Sequence, residues 1–158
     1  MKGLHNYNLF LKWTGNKGMG TSDYKSYERS FSINIENKVD IFGSSDPAFL
    51  GDKTKHNPEE LLVASLSSCH MLWYLHLCAE AKIIVVDYVD NATGQMIETS
   101  NGGGRFTEVT LNPIVKVKDI SMVEKANELH QKANELCFIA NSCNFPIYHK
   151  PICNTENA

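Results

Sequence analysis

Polar and apolar residues alternate over residues 7–13, and the stretch closes on Gly15-Asn16-Lys17-Gly18, a pattern that predicts a strand running into a turn. Alternation continues over residues 22–35 and 38–42 with a break at Glu36-Asn37-Lys38, so the N-terminal third reads as an antiparallel meander of about three strands. A polar loop over residues 44–56, rich in Gly, Pro and Asp, delivers the chain to Asn57-Pro58-Glu59-Glu60-Leu61-Leu62. Here Asn57 suits a cap, Pro58 the first helical position, and Glu59 and Glu60 the positive end of the dipole. The helix is expected to run to about Ala81. Its apolar positions cover most of the circumference, which predicts burial on nearly all sides. Alternation returns over residues 83–92 and 95–98 and, after Asn101-Gly102-Gly103-Gly104, over residues 106–117, giving three more strands in hairpin order. Ser121 and Glu124 form a capping-box pair, and Val123, Ala126, Leu129, Ala133, Leu136 and Ala140 recur at helical spacing, predicting a second amphipathic helix ending near Ile139. A short strand over residues 145–149, beside Pro146 and before Pro151, belongs at a sheet edge. The sequence is that of an α+β protein without internal repeats or low-complexity segments.

At 158 residues and 42% hydrophobic content, one domain spanning residues 1–158 can bury a proper core and two cannot. Fifteen basic residues against eighteen acidic ones leave a net charge of −3, spread without long runs, which argues against nucleic acid or an anionic membrane as partner. The first eight residues hold no apolar leader core, and the longest apolar stretch, about residues 72–79, is too short to span a bilayer. A cytoplasmic protein without membrane association is the expectation. Five cysteines are an odd number for a secreted disulfide framework, so each thiol is weighed singly.

Cys69 lies about three turns into the first helix, with Leu62, Leu66 and Trp73 at spacings that share its face. Cys137 shares a face with His130 and Ala133 near the end of the second helix, and packing of the two helices could bring the thiols together. Cys78, Cys143 and Cys153 read as core filler, the usual role of a buried cysteine. His70 points about 100° away from Cys69 on the helix and is a poor direct partner for it; His70 and His76 read as hydrogen-bonded or surface residues. Cys69, His70, His76 and Cys78 lie on one helix, but offsets of one, seven and nine do not gather tetrahedral zinc ligands. Glu59 stands ten residues before Cys69, roughly 15 Å along a helix. It is either a helix-start residue only or part of a site completed by another subunit.

The run Asn57 to Leu62, then Ser67-Ser68-Cys69-His70-Met71, then Glu135-Leu136-Cys137 resembles the OsmC/Ohr family over nearly the whole chain. The resemblance implies an OsmC-like fold with antiparallel sheets around two buried central helices, an intertwined homodimer, and reduction of organic hydroperoxides. By position it makes Cys69 the attacking cysteine, Cys137 the resolving one, and Glu59 the acid that holds an activating arginine. Of the two arginines, Arg29 and Arg105, Arg29 lies in the meander where the family draws its own. One family branch places an arginine shortly before the first helix, where this chain has Asp46-Pro47-Ala48-Phe49-Leu50, and Phe138 stands where a proline often follows the second cysteine.

A free thiol of pKa about 8.5 is mostly protonated at neutral pH, so attack on a peroxide calls for a positive group beside the sulfur. The resemblance further implies a Cys69 sulfenic acid, a Cys69–Cys137 disulfide and its reduction by an external thiol or a small dithiol such as a lipoyl group, with no metal, haem or flavin. An apolar pocket around Leu66, Trp73 and Phe138 would favour lipid-like or aromatic hydroperoxides. Two rival readings stand beside this one: a non-catalytic dimeric scaffold or hydrophobic-ligand binder, and another thiol reaction on an electrophile.

Overall fold

Asn57 starts the principal helix by the reciprocal bonds its position predicts: the Glu60 amide donates to Asn57 Oδ1 at 2.7 Å, and the Asn57 amide donates to Glu60 Oε2 at 3.2 Å. With Pro58 in the first turn, helix α1 spans Pro58–Glu80. It ends without a glycine. Ile83 N–H donates to Cys78 O and Lys82 N–H to Ala79 O, the paired bonds of a Schellman end, and Lys82 takes the left-handed φ of 59° that this end requires.

These features come from a computed structural model, which describes residues 3–155; Met1 and Lys2, at the head of the stretch read above as lacking a leader core, lie outside the described residues. Backbone contacts gather the chain into two compact units that divide between Leu61 and Leu62, inside α1.

The first unit holds the expected meander: β1 (Phe10–Trp13), β2 (Phe31–Asn34) and β3 (Ile41–Gly43) in antiparallel order. β2 is shorter than the alternation suggests because Asp23 and Ser26 bond their own backbone neighbours, competing with a ladder over residues 22–30. Asn37 takes a φ of 62° where the pattern breaks before β3. Opposite Phe31, Gly43 is required, since a Cβ there would sit 2.2 Å from the phenyl ring.

The second unit carries β4 (Val85–Asp90), β5 (Thr93–Glu98), β6 (Gly104–Leu111), β7 (Pro113–Val117), helix α2 (Val123–Leu136), β8 (Ile147–His149) and β9 (Ile152–Thr155). The sheets are β4-β7-β9 and β5-β6-β8, each an antiparallel pair extended by a parallel edge strand. The expected single run over residues 106–117 is two strands. Asn112 gives its amide to Asp90 Oδ1 at 2.7 Å and Pro113 has no amide to give, so the chain leaves one sheet for the other there. Pro151 separates β8, at the edge as expected, from the unforeseen β9. The turn before α2 is held by Asp119, which accepts from Ser121, and not by a Ser121–Glu124 box. α2 stops at Leu136 because Cys137 is extended, ψ 110°.

Along α1 the fully buried residues are Leu66, His70, Tyr74 and Cys78, one stripe of four-residue spacing. Leu66 packs with Val109 and Leu111, while Tyr74 and Cys78 pack with Val115, Val117, Ala126, Ala133 and Cys153. The expectation of burial on nearly all sides is therefore corrected: within one chain the remaining face is open, with Leu72 63% exposed. The expected limit of residues 72–79 is corrected too, since the 23-residue helix is long and apolar enough by composition alone to cross a bilayer. Its buried stripe is that of a core helix packed on sheets.

Candidate active site

Cys69 occupies the face of α1 one step round from the buried stripe and is half-buried. Together with Ser65, Ser68, Leu72, Trp73 and His76 of α1, and with Phe138 and Ile139 after α2, it lines an open groove of about 540 Å³. The groove wall is aromatic. Trp73 meets Phe138 edge-to-face with centroids 5.5 Å apart and His76 likewise at 5.7 Å; the Phe138 ring is 68% exposed. Of the three residues expected to form the pocket, Trp73 and Phe138 line this groove. Leu66 does not: it shares the stripe of His70 and is sealed against β6.

Cys137 is 1% exposed. The Ala140 amide donates to its sulfur at 3.4 Å, but burial dominates and, with Cys69 beside it, pushes the Cys137 thiol up to about 11. The two thiols that the sequence suggested could approach are thus neighbours, one open to a groove and one behind it. Cys78 and Cys153 lie in the main core with their pKa values raised by burial, and Cys143 packs on the cluster around Leu66. The four helix residues weighed for zinc diverge, Cys69 and His76 toward the groove and His70 and Cys78 into the core. Among the described residues no group of three or more His, Cys, Asp or Glu is arranged to hold a metal ion.

In the first unit, Arg29 donates to Tyr27 O and Tyr24 O, and its guanidinium lies 4.3 Å from the centre of each tyrosine ring. Glu59 has a buried Oε2 without a hydrogen-bond partner. No ion pair joins these two residues among the described residues, so the bidentate pair expected from the resemblance is absent within this chain. The guanidinium is already satisfied by two carbonyls and two rings. Arg105, in β6 opposite Ile97, is exposed.

Sequence reasoning missed a buried imidazole cluster. His70 Nε2 and His130 Nδ1 share a hydrogen bond of 3.0 Å, linking α1 to α2. His149 stacks on His70 at 5.7 Å, and Tyr74 stacks on His130 at 3.9 Å. Burial lowers His70 to about 4 and His130 to about 3, so both rings are neutral at neutral pH. Asp90, fixed by Ser67 Oγ and the Asn112 amide, partly opposes the shift at His70. The available signal was that His70 and His130 stand at core positions of their helices, His70 four residues from both Leu66 and Tyr74.

A profile of the OsmC-like protein family matches residues 51–150 of the chain. The chain belongs to the OsmC family. A solved OsmC-like protein of unknown function from Vibrio cholerae is 30% identical, with a TM-score of 0.85 over 94% of this chain and 100% of that one. An organic hydroperoxide resistance protein from Elizabethkingia anophelis (20% identity, TM-score 0.70, 99% and 100% coverage) and OhrB of Bacillus subtilis (21%, 0.64, 95% and 100%) share the fold of this OsmC-family protein. No curated protein matches the sequence. The expected α+β fold is thus that of OsmC-like and hydroperoxide resistance structures, with parallel edge strands added to the antiparallel pairs.

Proposed function

We propose that the whole chain acts as one OsmC-like domain that reduces organic hydroperoxides, Cys69 attacking and Cys137 resolving. The observation that carries this reading is the asymmetry of the two neighbouring thiols: Cys69 lines an apolar groove, whereas Cys137 is sealed behind it and held protonated. The Cys69 thiolate attacks the terminal oxygen of RO–OH. The O–O bond breaks, ROH leaves with a proton, and Cys69 becomes a sulfenic acid. Cys137 then displaces hydroxide from that sulfur, forming the disulfide and releasing water. An external small dithiol, such as a lipoyl group, takes up the oxidising equivalents by exchange and restores both thiols.

The aromatic wall of Trp73 and Phe138 favours lipid-like or aryl hydroperoxides over hydrogen peroxide, because burying a hydrocarbon tail contributes about 25 cal/mol per Å². In this reading Arg29 supplies the positive charge that favours the thiolate and Glu59 holds it. The unpartnered Oε2 of Glu59 supports such a pairing, although the Tyr24 and Tyr27 carbonyls compete for the guanidinium. The exposed apolar face of α1 fits a homodimer, and the likeness to hydroperoxide resistance proteins supports the reaction class.

The test is turnover of cumene hydroperoxide with a dithiol. Wild type should consume peroxide continuously and show a Cys69–Cys137 bridge by peptide mass spectrometry. Cys137→Ser should consume about one equivalent and stall, then oxidise Cys69 to the sulfinic acid. Absence of the bridge, or faster oxidation of Cys143 or Cys153, would replace this reading with hydrophobic-ligand binding in the groove.

A further inference from the structure

The His70–His130 bond joins α1 to α2, and the thiol pair joins α1 to the residue that caps α2. The two contacts are one residue apart on α1, at positions 69 and 70, but seven residues apart on the other side, at His130 in α2 and at Cys137, the residue that caps α2. Seven residues are two helical turns, a lever of roughly 10 Å. A rotation of α2 by about 10° around the imidazole contact would carry Cys137 by about 2 Å over that lever. Sulfur–sulfur bonding at about 2.05 Å with a fixed dihedral does not tolerate such a displacement.

The cluster is built to resist it. His130 is clamped between its bond to His70 and the face of Tyr74, and His70 is backed by His149 from β8. The charged and titratable groups facing the pair are Asp90 of β4, His149 of β8 and Tyr74 of α1. Asp90 is committed to Ser67 and Asn112, which leaves the imidazoles bonded to each other.

We propose that His70 and His130 are positioning residues for the resolving step: their hydrogen bond fixes the register of α2 on α1 so that Cys137 meets Cys69 when the latter is oxidised. This inference rests on the hydroperoxide reading, and it separates two rates. Attack on peroxide depends on Cys69, its groove and the positive charge that favours its thiolate, whereas condensation to the disulfide depends on the imidazole pair.

The experiment compares wild type, His130→Leu and His130→Asn, whose amide can still hydrogen-bond His70. Cumene hydroperoxide is added at stoichiometric and at excess concentration. Consumption of the first equivalent gives the attack rate, and mass spectrometry gives the ratio of Cys69–Cys137 disulfide to Cys69 sulfinic acid. The expected result is an unchanged attack rate in both variants, with disulfide formation at least tenfold slower and sulfinic acid dominant in His130→Leu. His130→Asn should recover much of the wild-type ratio. A purely structural role lowers the melting temperature without moving that ratio. Should His130→Leu fail to fold, His130→Phe, which keeps a ring against Tyr74 but loses the bond to His70, carries the same partition measurement. A bond-deleting variant that keeps the wild-type ratio, or that slows attack and condensation equally, overturns the inference. A wild-type protein that neither consumes peroxide nor forms the bridge overturns instead the reading on which it rests.

Discussion

Two cysteine pairs sit in the second unit, and their contrast shows what separates a pair with one accessible thiol from a pair that is sealed. Cys78 and Cys153 are near one another beside Tyr74, each raised first by burial, and Cys153 adds to the shift at Cys78. Both are sealed in the main core. Cys69 and Cys137 are also neighbours and Cys137 is equally sealed, but Cys69 opens onto the groove. Proximity is common to both pairs; access belongs to one. A thiol reached by substrate beside one that is not has two different tasks available to it, while two inaccessible thiols have only packing.

The widest gap between the pairs should appear on substitution. Cys69→Ser is expected to abolish peroxide turnover, whereas Cys78→Ala should leave turnover unchanged and reduce stability by about 1–2 kcal/mol through the small cavity it opens. Parallel assays and urea melts decide the matter, and equal loss of activity in both variants would erase the contrast.

A smaller effect, on pH dependence of stability, distinguishes the sealed groups from the open ones. Unfolded imidazoles take up protons near 6.5, but buried His70 and His130 do so only near 4 and 3. The unfolded chain therefore binds more protons below 6.5, so their contribution to stability is complete above that pH and lost as pH falls. Two such groups make stability fall steeply as pH drops from 6 toward 4. On the alkaline side the sign reverses. Burial pushes Cys137 up to about 11 from the ordinary thiol value of about 8.5, so stability is full below that ordinary value and falls as pH rises, with Cys78 and Cys153 acting in the same direction. Urea melts from pH 4 to 10.5 should trace a plateau with two falling edges; a flat acid edge would mean that the imidazoles are hydrated in the fold.

The smallest effect concerns the end of α1 next to Cys78. Lys82 holds a left-handed conformation that costs a side-chain-bearing residue about 1 kcal/mol, so Lys82→Gly should raise stability by roughly 0.5–1 kcal/mol without touching either thiol pair. A loss of stability in the same melts would show that the lysine side chain contributes more than its strain costs.

Legibility in the sequence followed the range of the interactions involved. The start of α1 was readable because Asn57, Pro58 and Glu60 act within one turn, and the meander because its alternation is local. The break at Asn112-Pro113 was missed because Asp90, which captures the Asn112 amide, stands 22 residues away. The His70–His130 pair spans 60 residues and leaves no local pattern beyond two polar residues at core positions. In the candidate site, Trp73 follows from helix spacing and Phe138 from its place beside Cys137, but Leu66 does not belong there: a residue three before Cys69 is offset by about 60°, enough to turn it from groove to core.

That offset gives α1 two independent constraints written on one segment. Every fourth residue from Leu66 to Cys78 answers to the sheets and α2, while Ser65, Cys69, Leu72 and His76 answer to whatever enters the groove. In a saturation scan of the helix, soluble abundance and peroxide turnover would therefore oscillate with the same helical period yet out of phase. Positions at which abundance is indifferent and turnover collapses would map the chemistry without any knowledge of the substrate.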